Sequence, residues 1–182
     1  LAHHTLGDCA EQLSDLGYKN FFSPLELFKN YDVNKFNHRA SQSYIKKKID
    51  NAIKINELYF DDSKTYLRSL DVVITTKCSM NCESCANLMQ YYKSQKNTDN
   101  EILKAVKLIS DNVDHISEYR IIGGEPLMNK NWAEITKGVV DQDPNRSVYI
   151  YSNATICPKD DQLEMFKGKN VHFYLTDYGD LS

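Results

Sequence analysis

Val72-Val73-Ile74-Thr75-Thr76-Lys77-Cys78-Ser79-Met80-Asn81-Cys82-Glu83-Ser84-Cys85 decides how the rest of the chain is read. A β-branched run with the composition of a buried strand leads straight into three cysteines at CxxxCxxC spacing. Three thiolates on one loop can ligate three irons of a cubane cluster and leave the fourth iron without a protein ligand. Simple electron transfer normally uses four cysteines, whereas an open iron suits a cluster that binds a substrate or cofactor directly. Three other readings compete. Structural zinc asks for four ligands, often as paired CxxC elements, and no Cys or His lies between Cys85 and His115, so Cys9 or Cys157 would have to serve. A ferredoxin-type site uses CxxCxxC with a further cysteine, one residue shorter in its first gap. The last is three inert buried thiols, poorly matched to their polar neighbours.

Downstream of the cysteines, short β-branched or aromatic runs recur at 119–122, 148–151 and 171–175, with helical patterns between them. Thr98 and Glu101 form a capping box ahead of a helix whose expected stripe is Ile102, Leu103, Val106, Ile109, Val113 and Ile116. Trp132, Ile135, Val139 and Val140 make a second stripe, and a short helix containing Leu163 and Phe166 precedes the last run. Strands alternating with helices imply right-handed βαβ units and a parallel sheet. Four such units are visible. In such sheets functional groups gather at the carboxyl ends of the strands. Each strand here is followed by polar or glycine-rich sequence: Thr75 to Cys78, Gly123-Gly124-Glu125-Pro126, Ser152-Asn153-Ala154-Thr155, and Thr176-Asp177-Tyr178-Gly179. All four are expected on one rim.

Upstream, residues 1–65 read as a helical extension to a core at 66–182. Asp8 with Glu11 reads as a helix start and Gly17 as its end. Phe21-Phe22 reads as a short extended piece, and Ser23-Pro24-Leu25-Glu26 as a second helix start. A longer helix is expected over 43–58, burying Ile45, Ile49, Ala52 and Ile53.

The bulk numbers exclude some functions. A formal charge of −3 gives no general electrostatic reason to bind nucleic acid or anionic membrane. The one basic run, Lys46-Lys47-Lys48, reads as a solvated helix face. No apolar stretch approaches the roughly 20 residues needed to cross a bilayer, and the first residues lack signal-peptide character. An odd number of cysteines, three of them clustered, argues against a disulfide framework and for thiols kept reduced in the cytoplasm. The chain starts without Met and stops at Asp180-Leu181-Ser182 without a terminating element, which suggests a piece of a longer protein.

CxxxCxxC after the first strand, followed by Gly-Gly-Glu-Pro after the second, resembles the radical S-adenosylmethionine (SAM) superfamily over 67–182. The resemblance implies a partial (β/α) barrel and a 4Fe–4S cluster on Cys78, Cys82 and Cys85. It implies SAM chelated at the open iron and reductively cleaved to a 5′-deoxyadenosyl radical that abstracts hydrogen from a substrate. Gly123 and Gly124 would then let the strand end approach the methionine part of SAM, Glu125 would accept from its ammonium, and Pro126 would fix the strand exit. Ser152 to Thr155 is similar to the Thr-Asn-Gly-Thr segment of relatives, with Ala154 where glycine is expected, and Ser152 is a candidate cofactor contact. Thr176 stands where relatives place a serine that binds the SAM ribose. A reductant such as flavodoxin or ferredoxin is implied as partner.

Two departures from the family pattern are plain. Ser84 replaces the aromatic residue that many relatives carry before the third cysteine, with Asn87 or a backbone group as the candidates to take its place. Relatives usually contain six strand–helix units, so the barrel is expected to be C-terminally incomplete. Cys9 and Cys157 are too few for a further Cys-ligated cubane of the SPASM type, and Cys157 reads as a plain thiol. The wording around Cys85-Ala86-Asn87-Leu88-Met89 and Tyr174 to Gly179 resembles uncharacterised bacterial radical SAM proteins, some associated with surface polysaccharide assembly. Residues 10–28 are similar to parts of sugar-nucleotide-modifying proteins. Together these imply a small-molecule substrate, a sugar or nucleotide sugar. The alternatives are an activase that installs a glycyl radical on a partner enzyme, and a non-enzymatic iron–sulfur or zinc module.

Overall fold

Alternation along four strands sets the architecture of this computed structural model, which describes residues 6–20, 30–35, 41–59, 61, 63–93 and 97–177. The strands are β1 (Tyr66–Thr75), β2 (His115–Gly123), β3 (Ser147–Ser152) and β4 (Val171–Leu175). They form one sheet in the order β1-β2-β3-β4. β2 pairs parallel to β3, with Tyr119 opposite Val148, and β3 pairs parallel to β4, with Val148 opposite Val171. The ends of β1 and β2 lie side by side, Gly124 donating its N–H to the Thr75 carbonyl at 3.1 Å, so these strands also run the same way. Sequential strands of one parallel sheet need crossover connections, which the intervening helices supply. The result is the expected α/β partial barrel.

The chain divides into two units, Leu1–Tyr66 and Leu67–Ser182. In the first, α1 (Leu6–Asp15) ends at Gly17, whose φ of +83° suits a left-handed cap. Asp8 does not start this helix, because α1 is already under way at Leu6. The longer helix, α2 (Gln42–Tyr59), starts slightly before the expected position because Ser41 caps it, its hydroxyl accepting from the Tyr44 N–H at 3.3 Å. Ile45, Ile49, Ala52 and Ile53 are half-buried on one side, while Lys46, Lys47 and Lys48 are exposed. The expected elements at 21–26 lie outside the described residues.

In the second unit, one face of the sheet packs on α3 (Asp99–Asp111) and α4 (Trp132–Gln142), while Met165 and Phe166 join the core just past the short α5 (Asp160–Glu164). Val72, Ile74, Tyr119, Ile121, Val148 and Ile150 point that way and are buried. Ile135 and Val139 of α4 are wholly buried, and Trp132 meets Phe166 and Phe173 at ring-centroid distances of 5.8 and 5.9 Å. Each such aliphatic side chain contributes roughly 1.5–3 kcal/mol by leaving water. Gly138 on α4 faces Leu103 on α3, where a Cβ would stand 2.7 Å from the leucine methyls, so its absence allows close helix packing.

The other face holds none of the sheet's buried hydrophobic residues. It carries Asp71 and Val73 from β1, Glu118, Arg120 and Ile122 from β2, Tyr149 and Tyr151 from β3, and His172 and Tyr174 from β4, all half-buried or exposed. Tyr149 stacks on His172 and Tyr151 on Tyr174, with centroids 5.1 and 4.8 Å apart, as their direct pairing dictates.

Three details of the expected stripes differ. Val113 and Ile116 fall beyond α3, Ile116 in β2, because Asn112 ends the helix, its side chain donating to the Leu108 carbonyl at 2.8 Å. Ile109, in the last turn of α3, is 37% exposed, and Leu163 on α5 is 41% exposed. Of the expected α3 stripe, only Ile102 and Val106 on the helix are fully buried.

The capping box at Thr98 forms as expected. Its hydroxyl accepts from the Glu101 N–H at 3.3 Å, and the Glu101 carboxylate accepts from the Thr98 N–H at 2.7 Å. Replacing Thr98 by Ala is expected to cost about 1 kcal/mol of unfolding free energy, read from a urea or guanidinium midpoint at unchanged slope.

Candidate functional site

Backbone hydrogen bonds bring the cysteine loop to the glycine pair. After Gly124 meets Thr75, the Glu125 N–H donates to the Lys77 carbonyl at 2.8 Å, immediately before Cys78. No room is left for a side chain here. A Cβ on Gly123 would collide with the Thr75 carbonyl oxygen, and one on Gly124 with the Lys77 carbonyl, with the Cys78 Cβ only 2.9 Å away. The approach of the backbone leaving β1 by itself requires glycine at both positions.

Cys78, Cys82 and Cys85 are half-buried and line one cavity of about 250 Å³, together with Gly123, Gly124 and Asn153. Among the described residues, no three of His, Cys, Asp and Glu converge closely enough to hold a single metal ion. The cavity lining contains no fourth Cys or His. The donor set therefore suits a cluster with one iron left open.

A second cavity, of about 290 Å³, adjoins the first and shares Asn87, Gly123, Gly124 and Asn153 with it. It opens on the sheet face opposite the core, where Asp71, Arg120, Tyr151 and Thr176 line it. Arg120 is held by Glu118 at 2.7 Å and lies 4.0 Å from Asp71. Partial burial works against its charge, but the hydrogen bond and charge of Glu118, with help from Tyr151 and Asp71, raise its pKa overall. Burial raises the Tyr151 pKa, with Arg120 opposing, so this phenol stays protonated near neutrality. Asp71, Arg120 and Tyr151 carried no motif in the sequence. Only their strand alternation could have placed them on this face.

Glu125 is enclosed by the protein. Its side chain has no exposure, and its carboxylate accepts from the Leu127 N–H at 3.0 Å, the Ser152 hydroxyl at 3.0 Å and the Asn153 N–H at 2.7 Å. With three donors from the protein, the carboxylate faces inward and joins the ends of β2 and β3. Ser152 is likewise buried, donating to Glu125 and accepting from the Ala154 N–H at 3.1 Å, so its hydroxyl is engaged on both sides. Pro126 is buried at the first position of a 3-10 turn, Pro126–Met128, where its fixed φ suits the strand exit. Thr176 is exposed at the rim, its N–H continuing the ladder to the Ser152 carbonyl at 3.0 Å. Asn87 donates to the Gly123 carbonyl at 3.3 Å, holding the cysteine loop to β2.

The β3 loop is tied to the cysteine loop as well. Asn153 Nδ2 lies 3.7 Å from Cys78 Sγ and 3.1 Å from Ser79 Oγ, and Ser79 and Thr155 share a 2.5 Å hydroxyl–hydroxyl bond. Ala154 keeps the turn that a glycine would make, at φ +60°. A left-handed alanine stores about 1–2 kcal/mol.

Two stability outcomes follow. Ala154→Gly is expected to raise unfolding free energy by up to about 1 kcal/mol, relief of strain exceeding the added freedom of the unfolded chain. Glu125→Ala leaves three buried or half-buried donors without an acceptor and is expected to cost about 3–5 kcal/mol. Chemical denaturation of the two variants beside the parent measures both, and a near-neutral Glu125→Ala would contradict the bracing role.

No curated protein matches this chain by sequence. A solved structure of Streptococcus suis SuiB bound to precursor peptide SuiA matches with a TM-score of 0.50 at 14% identity, over 91% of this chain and 34% of that one. The likeness is one of fold, and this chain spans about a third of SuiB's length. The sequence model of the radical SAM superfamily matches residues 72–177, from the core of β1 to the residues just past β4. The chain belongs to the radical SAM superfamily of enzymes.

Proposed function

We propose that this chain carries the SAM-cleaving core of a radical enzyme, and one observation carries the reading: three thiols and a glycine-paired strand end open on a single cavity. Cys78, Cys82 and Cys85 would hold three irons of a 4Fe–4S cluster, the loop's spacing leaving the fourth to a non-protein ligand. Once reduced by a donor such as flavodoxin or ferredoxin, the bound cluster and SAM supply carbon–sulfur cleavage and a 5′-deoxyadenosyl radical that takes hydrogen from the substrate. The protein's part is positional. Gly123 and Gly124 bring a bare backbone edge to the cavity wall, and Asn87 keeps that edge against the cysteine loop. Glu125 and Ser152 fix the neighbouring strand ends from inside, and Pro126 sets the exit of β2. Thr176 stands at the second cavity with its hydroxyl at the rim, suited to a ribose. Free thiols and an oxygen-sensitive cluster fit a reducing, cytoplasmic setting. No helix among the described residues is long and apolar enough to cross a membrane.

The substrate would occupy the second cavity. Tyr151, stacked on Tyr174, offers a flat apolar surface to it, and Asp71 offers an acceptor, a combination that suits a sugar or nucleotide sugar. A second reading takes its support from SuiB, whose structure holds a precursor peptide, and makes the substrate a peptide.

Anaerobic reconstitution tests the core of the proposal. The expected product holds about four irons, absorbs in the visible, bleaches with dithionite and releases methionine from SAM. Cys82→Ala is expected to abolish iron retention and SAM cleavage together, and full cleavage without that thiol would refute the ligand assignment. Screening SAM cleavage against nucleotide sugars and peptides separates the substrate classes, since stimulation by peptides alone removes the sugar.

A further inference from the structure

We infer that Asn153 is a positioning residue for the cluster, donating an N–H···S hydrogen bond to the Cys78 thiolate and thereby raising the reduction potential. The inference rests on the cluster assignment of the preceding section and adds a residue that neither the cysteine nor the glycine motif contains.

The amide's orientation is fixed by its partners. Oδ1 accepts from the Thr155 N–H at 3.1 Å and from the Thr155 hydroxyl at 2.7 Å. A backbone N–H can only donate, so the atom facing it is the oxygen and the opposite end of the amide is NH₂. That NH₂ points at Cys78 Sγ, 3.7 Å away, and at Ser79 Oγ, 3.1 Å away. The residue itself cannot drift. Its backbone N–H is held by the buried Glu125 carboxylate at 2.7 Å, and the Ser79–Thr155 hydroxyl pair closes the loop-to-loop latch. Asn153 therefore presents its donor from β3 to a thiol on the loop after β1, with the β2 carboxylate as anchor.

The consequence for redox chemistry is direct. Hydrogen bonds to ligating sulfurs are among the terms that set iron–sulfur potentials. A donor at the thiolate stabilises the more negative, reduced cluster more than the oxidised one, so reduction becomes easier. Ligand-supporting groups of this kind are part of a metal site's design.

The test is a redox titration of reconstituted full-length protein, without SAM, monitored by electron paramagnetic resonance and paired with iron analysis. Asn153→Leu removes the donor without adding charge. Asn153→Asp keeps the shape and the Thr155 contacts but offers no N–H. Both are expected to keep the wild-type iron content and to shift the one-electron reduction equilibrium at least threefold toward the oxidised form, tenfold corresponding to about 59 mV. Thr155→Val, which loosens the latch without removing the donor, is expected to stay within twofold of wild type. An unmoved midpoint in Asn153→Leu overturns the inference, as does loss of iron in both Asn153 variants, which would make Asn153 a retention residue instead. If only the leucine variant loses iron, the uncharged Asn153→Ser, too short to reach the sulfur, decides: a lowered midpoint with full iron supports the inference and an unmoved one overturns it. A wild-type protein that takes up no cluster refutes the cluster assignment itself, an outcome distinct from any of these.

Discussion

Glu125, a carboxylate sealed from water, is the interaction on which the rest of the site depends. Its three donors come from its own 3-10 turn and from the end of β3, while its backbone N–H reaches the loop after β1. One residue thus joins three strand ends. A buried charge is tolerable only when hydrogen bonds replace its lost water, and here they do. The cysteine loop has little regular structure of its own, so its shape is borrowed from this junction.

The glycine pair makes the same junction sterically. Parallel strands that end side by side would ordinarily splay their side chains into the space above the sheet. At Gly123 and Gly124 that space is filled by the backbone of the chain leaving β1. The cysteine loop can therefore fold across the end of β2, and the first and second cavities come to share a wall. The two cavities become neighbours because two Cβ atoms are missing.

Much of this was legible in the sequence, for reasons that differ from residue to residue. Periodicity gave the four strands and the helices α3 and α4, since buried faces impose a regular spacing on apolar residues. The capping box at Thr98 was legible because it is a local device, complete within four residues. The rim placement of Cys78, Gly123, Ser152 and Thr176 followed from parallel topology. What could not be read was direction. Glu125 and Ser152 carry polar side chains beside a polar site, and nothing local says that they turn inward to meet each other across the sheet. The reach of Asn153 to Cys78 is likewise a product of register between β1, β2 and β3. Boundaries failed where a single polar cap decided them, as at Asn112, which handed Ile116 from a helix to a strand. Ala154 shows the opposite case, a left-handed turn kept without the glycine that would have announced it.

The sheet face opposite the core has a consequence for how such a molecule can change over time. Strand alternation sends odd and even positions to opposite sides, so Tyr151 and Tyr174 can be exchanged without touching Ile150 or Phe173 behind them. The surface that would meet a substrate is mechanically insulated from the packing that keeps the domain folded. Substitutions confined to that side of the four strands are expected to leave both the packed core and the rim where the thiols sit undisturbed.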